Sequence, residues 1–237
     1  MYKKKKILCV IPARSGSKGI LNKNLQLINK KPLLFYPIRA AKNSRYIDKI
    51  IFSSDSKNYQ KLALSYGAES PFVRSKKLSK NKIKSYDVII DVIDFLKKKK
   101  LKFDFVILLE PTSPFTSSKD IDYSIKKLIN LNCNSLLSII DASKFNIFFQ
   151  FKKFGKIIKP LVKGNNHLRR QDVQKTYVLD GSIYISKIND FIKNKGFVSK
   201  KTIGIELPKW KSIEIDDNND LMISRMIYKI NENEIQK

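Results

Sequence analysis

The sequence predicts an α/β fold built on a mostly parallel sheet, and three observations carry that reading. An apolar run at Ile7, Leu8, Val10 and Ile11 stops at Pro12, as expected of a strand buried on both faces. Segments of helix and strand character then alternate: helix over 32–41, strand over 49–53, and helix over 57–66 closed by Gly67. That pitch implies right-handed crossovers between parallel neighbours. Finally, FDFVILL at 103–109 is the most strand-like run in the chain, and it breaks at once into the rigid Glu110-Pro111-Thr112-Ser113-Pro114.

The loop after the first strand is chemically the richest stretch. In Ala13-Arg14-Ser15-Gly16-Ser17-Lys18-Gly19, the glycines permit close backbone approach, and Arg14, Lys18 and Lys23 can face one polyanion. This is the make-up of a phosphate cradle. It is neither a P-loop, which needs four residues between its first Gly and Gly-Lys-Ser/Thr, nor a dinucleotide G-x-G-x-x-G.

The remaining elements follow in order. Residues 70–73 lead as an extended piece into Arg74, and a Lys-rich loop runs to Ser85, whose alternative role is to cap the helix that Val88, Ile89, Val92, Ile93 and Leu96 mark at helical spacing. Ser117 and Asp120 form a capping box for a helix reaching about 131, and 135–140 is a strand. From 141 to 174 the pattern changes to crowded aromatics, Phe145, Phe148, Phe149, Phe151 and Phe154, with Gly155, Pro160 and Gly164, as in a β-rich arm. A strand at 178–185 holds Asp180-Gly181, and a helix (189–195) and a strand (202–207) follow. Residues 212–216 alternate as a last strand with Glu214 and Asp216 on one face, and 217–220 cap a C-terminal helix.

Composition bounds the function. The 237 residues are 42% hydrophobic, with no repeats and no long linker, which fits one folded unit over 1–237 with an inserted arm at about 141–174. The net charge of +27 is spread over nearly every segment, with dense runs only at 3–6 and 97–100, so no nucleic-acid partner is expected. Cys9, Cys133 and the single His167 have no metal-ligand spacing and fit reduced thiols and a loop histidine. The opening apolar run is too short for a secretory signal and no stretch has the length of a membrane span, so a cytoplasmic location without membrane contact is expected.

Open α/β sheets collect their sites at strand C-terminal ends, where Arg14 to Asn24, Asp55, Glu110 to Ser113, Glu214 and Asp216 all fall. IPARSGSKG followed by Lys23-Asn24, together with PTSP at 111–114, resembles the signature of the acylneuraminate cytidylyltransferases, which make CMP-sialic acids. Ser54-Asp55, Arg74, the stretch from Arg170-Gln171 to Asp180-Gly181-Ser182-Ile183-Tyr184, and SIEID at 212–216 resemble that family's further motifs. The chain departs from the usual pattern with Glu110 for Gln, Asp180 for Asn, Glu214 for Asp, Thr116 for Arg and Ser75 for Pro.

The resemblance implies a Rossmann-like nucleotide-diphospho-sugar transferase fold with a dimerisation arm, hence a homodimer, and CTP and an acidic nonulosonic sugar as substrates. It assigns Ala13, Arg14, Ser15, Gly16, Ser17, Lys18, Lys23, Asn24, Arg74 and Ser85 to the nucleotide. It gives Glu110, Thr112, Ser113, Arg170, Asp180 and Tyr184 to the sugar, and Glu214 and Asp216 to Mg²⁺ or Mn²⁺, with Arg14, Lys23 and Asp216 carrying catalysis. Extra carboxylates at 110 and 180 would repel an acidic sugar unless a cation or hydroxyl groups pair with them. Rival readings are a 3-deoxy-octulosonate cytidylyltransferase, which should carry Arg-Pro after its opening Ser, a glycosyltransferase, which needs a mid-chain Asp-x-Asp, and a basic nucleic-acid-binding protein.

Overall fold

The structure is a computed structural model that describes residues 1–17, 19–162 and 169–235. The first strand, β1 (Ile7–Pro12), is buried along nearly its whole length. A small hairpin of β2 (Leu27–Ile28) and β3 (Lys31–Pro32) precedes α1 (Phe35–Asn43). The helix therefore starts later than the expected 32, because Lys31 and Pro32 are pairing with Ile28 and Leu27. Next come β4 (Lys49–Ser53) and α2 (Lys57–Tyr66), which ends on Gly67 at φ 99°, a left-handed cap that suits glycine.

A 3-10 turn precedes α3 (Ser85–Lys98) and β5 (Phe105–Leu108). Then α4 (Ser118–Asn130) opens on the expected Ser117–Asp120 box and leads into β6 (Ser135–Asp141). Among the described residues the arm holds three 3-10 turns and an exposed hairpin, β7 (Phe151–Phe154) with β8 (Ile157–Pro160). The chain returns through β9 (Tyr177–Lys187), α5 (Ile188–Asn194) and β10 (Thr202–Glu206), and ends in α6 (Asn218–Ile230) and α7 (Glu232–Ile235).

The main sheet has six strands in the order β10-β6-β9-β5-β1-β4. Pairs β1–β4, β1–β5 and β6–β10 are parallel, while β9 runs antiparallel between β5 and β6. Alternation along β1 divides the core between the two faces. Ile7, Cys9 and Ile11 pack with Ile38 of α1, Ala63 of α2 and Ile125 of α4. Leu8 and Val10 pack with Ile89, Val92 and Ile93 of α3 and Phe191 of α5. Each such aliphatic side chain contributes about 1.5 to 3 kcal/mol by its burial. A third cluster, including Ile20, Ile28, Phe115, Ile215 and Leu221, fastens the first loop and α6 over the strand ends.

One expected strand is absent. Residues 212–216 form no ladder, and the Ile215 amide instead donates to the Thr112 carbonyl at 2.9 Å. The predicted alternation persists in burial: Ile215 is fully buried, while Glu214 and Asp216 are exposed.

Candidate active site

The first loop is shaped by its neighbours more than by its own glycines. Ala13 is buried and its amide donates to the Ser53 carbonyl at 2.9 Å. The Asp55 carboxylate accepts from the Ser15 amide at 2.8 Å and the Ser15 hydroxyl at 3.2 Å, so the end of β4 folds the loop back over β1. Ser17 accepts from the Lys23 amide at 3.0 Å. Buried Asn24 donates its side-chain amide to the Arg14 carbonyl at 2.9 Å. Asn24 thus braces the loop from within.

A Cβ on Gly19 would lie 2.4 Å from the Asp216 carbonyl oxygen, so only glycine lets the loop sit against the 212–216 segment. Gly16 meets nothing within 4 Å and serves no close approach here.

Lys23, expected to face a polyanion, already has partners within the protein. Its Nζ donates to Asp216 Oδ1 at 3.0 Å and to the Ile215 carbonyl at 2.8 Å. The Arg14 guanidinium donates to the Asn81 side chain, tying the loop to the Lys-rich segment opposite. Lys18 and His167 lie outside the described residues, as does the side chain of Arg170.

Arg14, Ser17, Lys23 and Asn24 open onto a cleft of about 350 Å³ that also reaches Arg74, Ser85, Glu110, Thr112 and Asp216. The Arg74 guanidinium is buried, and its Nε and Nη2 have no hydrogen-bond partner. Burial lowers its pKa while nearby Asp55 supports the charge, leaving a desolvated donor in the cleft wall. Ser85 is not the N-cap of α3, a position held by Lys84; its hydroxyl instead donates to Glu110 Oε1 at 3.3 Å. Leu78, Lys80, Asn81 and Ile83 complete this wall and were not foreseen. Their signal was faint, two aliphatic residues interrupting a run of lysines.

The opposite end is acidic. Desolvation, and then the neighbouring Glu214 charge, raises the Glu110 carboxyl above its ordinary range, against the pull of Ser85 and Lys23. Glu214 is raised in turn by partial desolvation and by Asp216, with Lys23 opposing. The Tyr184 hydroxyl is pushed up to about 12 by desolvation and then by Glu110. Thr112 Oγ1 and Ser113 Oγ are buried without partners beside this group. Among the described residues no three His, Cys, Asp or Glu converge as a complete metal site, so Glu214 and Asp216 would need ligand oxygens to complete a cation shell.

Asp180 departs from expectation. It is 3% exposed, and its oxygens accept from the Ser138 hydroxyl, the Ser182 amide at 2.9 Å and the Ser212 hydroxyl at 3.0 Å. It is absorbed into the scaffold rather than offered to the cleft, and hydroxyl groups relieve the expected repulsion. The basic loop with Arg74 can hold a polyphosphate at one end of the cleft, and the carboxylates and hydroxyls can meet a polar partner or a hard cation at the other. No helix among the described residues is long and apolar enough to cross a membrane.

The family described as Cytidylyltransferase matches residues 8–187. The chain is 32% identical over 229 residues to the CMP-N,N'-diacetyllegionaminic acid synthase of Legionella pneumophila, covering 96% of this chain and 98% of that one. It is 32% identical over 220 residues to an N-acylneuraminate cytidylyltransferase of Streptococcus agalactiae, covering 92% of this chain but only 52% of that longer protein. Among solved structures it is similar to a CMP:2-keto-3-deoxy-manno-octonic acid synthetase complexed with CTP. That likeness has a TM-score of 0.69 over 95% of this chain and 99% of the other, and at 14% identity it speaks for the fold alone.

Proposed function

This chain belongs to the cytidylyltransferase family, and we propose that it transfers CMP from CTP to a nine-carbon 2-keto acid sugar, a nonulosonic acid, releasing pyrophosphate. The observation that carries this reading is the single cleft joining the Arg14–Lys23 loop and Arg74 to Glu110, Thr112 and Asp216.

Transfer of a nucleotidyl group needs in-line placement and charge neutralisation rather than a covalent enzyme intermediate. The backbone of 13–17 and the Arg14 and Lys23 cations face the triphosphate, with Lys18 in the same loop. Arg74 and Ser85 hold the nucleoside side, where the unpartnered Arg74 donors suit uncharged acceptors of a base or ribose as well as phosphate oxygens. The bond from the anomeric oxygen to the α-phosphorus forms as the bond to the leaving pyrophosphate breaks, and Arg14 and Lys23 stabilise the charge that departs. Glu110, Thr112, Ser113, Tyr184 and Arg170 are assigned to the sugar.

Glu214 and Asp216 fit a hard cation. Desolvation and then the like charge of Asp216 raise the Glu214 pKa, a shift that a cation would relieve, and oxygen donors suit Mg²⁺ or Mn²⁺. When bound, such an ion would neutralise phosphate charge and polarise the attacking hydroxyl.

We assign the enzyme to the cytoplasm, the source of CTP, and treat residues 1–237 as one catalytic unit. The exposed apolar residues of the arm, Phe145, Ile147, Phe151, Phe154, Ile157 and Ile158, support a homodimer formed through it. The test is turnover: with Mg²⁺, pyrophosphate release should require CTP and one of sialic, legionaminic or pseudaminic acid. CTP should also raise the melting temperature more than ATP, GTP or UTP. Equal thermal shifts with all four nucleotides, or no turnover across the sugar panel, would reject the reading.

A further inference from the structure

We propose that Asp180 is a positioning residue, which fixes a bulge in β9 and the 212–216 segment together and so sets the place of the Glu214 carboxyl beside Ser113. The pairing of β6 with β9 shifts register between Leu137 and Ile139, which leaves Ser138 out of the regular ladder. The Ser138 hydroxyl substitutes for the missing ladder bond: it accepts from the Ile183 amide at 2.8 Å and donates to Asp180.

Across the bulge, Gly181 takes φ 76°, and a Cβ there would lie 3.1 Å from Glu214 Oε2 and 3.2 Å from Ser113 Oγ. The bulged backbone therefore passes close beside the Glu214 carboxyl, where a side chain would not fit without strain. The other Asp180 oxygen accepts from Ser212, two residues before Glu214, at 3.0 Å. One buried side chain thus joins β6, the β9 bulge and the segment that carries both proposed cation ligands. Since 212–216 has no ladder of its own, such point attachments decide where its carboxylates stand.

The geometry also says which variants should be tolerated. All partners of Asp180 are hydroxyls or an amide, with no cation among them. An Asn could accept from Ser138 and the Ser182 amide with its oxygen and donate to Ser212 with its nitrogen. The attachment thus needs shape and hydrogen bonds more than charge.

The inference rests on the reading that Glu214 and Asp216 hold the divalent cation, and the experiment separates the two. Mn²⁺ binding to the enzyme with CTP, in the absence of sugar, is followed by electron paramagnetic resonance for wild type, Ser212→Ala, Ser212→Thr, Asp180→Asn and Glu214→Ala. Ser212→Ala should weaken Mn²⁺ binding about tenfold, the usual effect of removing a group that orients a metal ligand. Its melting temperature should stay close to wild type, with Ser212→Thr and Asp180→Asn retaining wild-type affinity for Mn²⁺. Wild-type Mn²⁺ affinity in Ser212→Ala while Glu214→Ala loses it would overturn the positioning role alone. If Glu214→Ala also binds Mn²⁺ like wild type, the cation reading fails and the inference falls with it. A sugar KM raised more than tenfold in Asp180→Asn, with Mn²⁺ affinity intact, would make Asp180 a sugar ligand instead and overturn the proposal.

Discussion

Replacing Lys23 with Met removes a cation while keeping most of its volume, and the structure sets two very different costs. In the free enzyme Nζ is 3.0 Å from Asp216 Oδ1, but the Asp216 side chain is 75% exposed, so solvent screens the pair. Such a bridge contributes about 0.5 to 1 kcal/mol. The hydrogen bond to the Ile215 carbonyl adds roughly 1 kcal/mol. Together they give a loss of about 1.5 to 2 kcal/mol, which for a chain of this length lowers the melting temperature by roughly 3 to 8 °C. The same charge facing a departing pyrophosphate in a narrow cleft is worth about 3 to 4 kcal/mol, a fall in kcat on the order of 10² to 10³. Pyrophosphate release at saturating CTP and sugar, beside a thermal melt, measures both quantities on one preparation. A kcat reduced less than tenfold, or a loss carried entirely by KM, would refute the role of Lys23 in the transition state.

Asp216→Asn should lower turnover about a hundredfold, or ~3 kcal/mol, with little change in denaturant stability, and an unchanged Mg²⁺ requirement at near-full activity would move the cation role to Asp55. Glu110→Gln should stabilise the protein at neutral pH. The folded-state pKa of Glu110 lies above its ordinary 4.5, so its contribution is fully present below that pH and is lost as pH rises through the raised value. Variant and wild type should therefore unfold at the same urea concentration at pH 4 and diverge in favour of Gln by pH 7.5; equal midpoints at both would show that Glu110 is not strained. The double substitution Phe151→Glu with Phe154→Glu should convert the proposed dimer to monomer in light scattering without lowering the melting temperature of the sheet, and a dimer that survives it would place the interface elsewhere.

The sheet was legible because burial is written into period and composition. The continuous apolar run of β1, the five aliphatic positions of α3, the Ser117–Asp120 box and the Asp217 cap each follow from a local pattern, and each stands where expected. The cleft was legible where strand ends carry charge, which brought Arg14, Lys23, Arg74, Glu110 and Asp216 together. Tertiary partners were not. Asp55 organises the loop from 40 residues away, Asn24 turns inward, and Asp180 is absorbed by three serines, none of which any spacing announces. Residues 212–216 read as a strand because alternation reports exposure, and a segment pinned across strand ends alternates in exposure without pairing. The wall at Leu78 to Ile83 was hidden by its lysines.

The charge arrangement of the free site bears on how substrates enter. Lys23 is bonded to Asp216, while Glu110 and Glu214 stand near it with carboxyls held above their ordinary range, Glu110 by desolvation and the Glu214 charge, Glu214 by desolvation and the Asp216 charge. On the proposed reading, a triphosphate bound at the first loop draws the Lys23 ammonium toward its oxygens, since one ammonium shared between them serves each partner less well. Asp216 then loses its counter-ion beside Glu214, a cost that a divalent cation held by Glu214 and Asp216 would offset. Nucleotide and cation should therefore bind with positive coupling, and by linkage each must raise the affinity of the other by the same factor. Lys23→Met removes the competition for Asp216, so the variant should bind Mn²⁺ more tightly than wild type in the absence of nucleotide while gaining less from added CTP. Lys23 would then act as a stand-in for the metal in the free enzyme and as a phosphate ligand in the complex, which explains why a lysine so central to the site is already hydrogen-bonded before any substrate arrives.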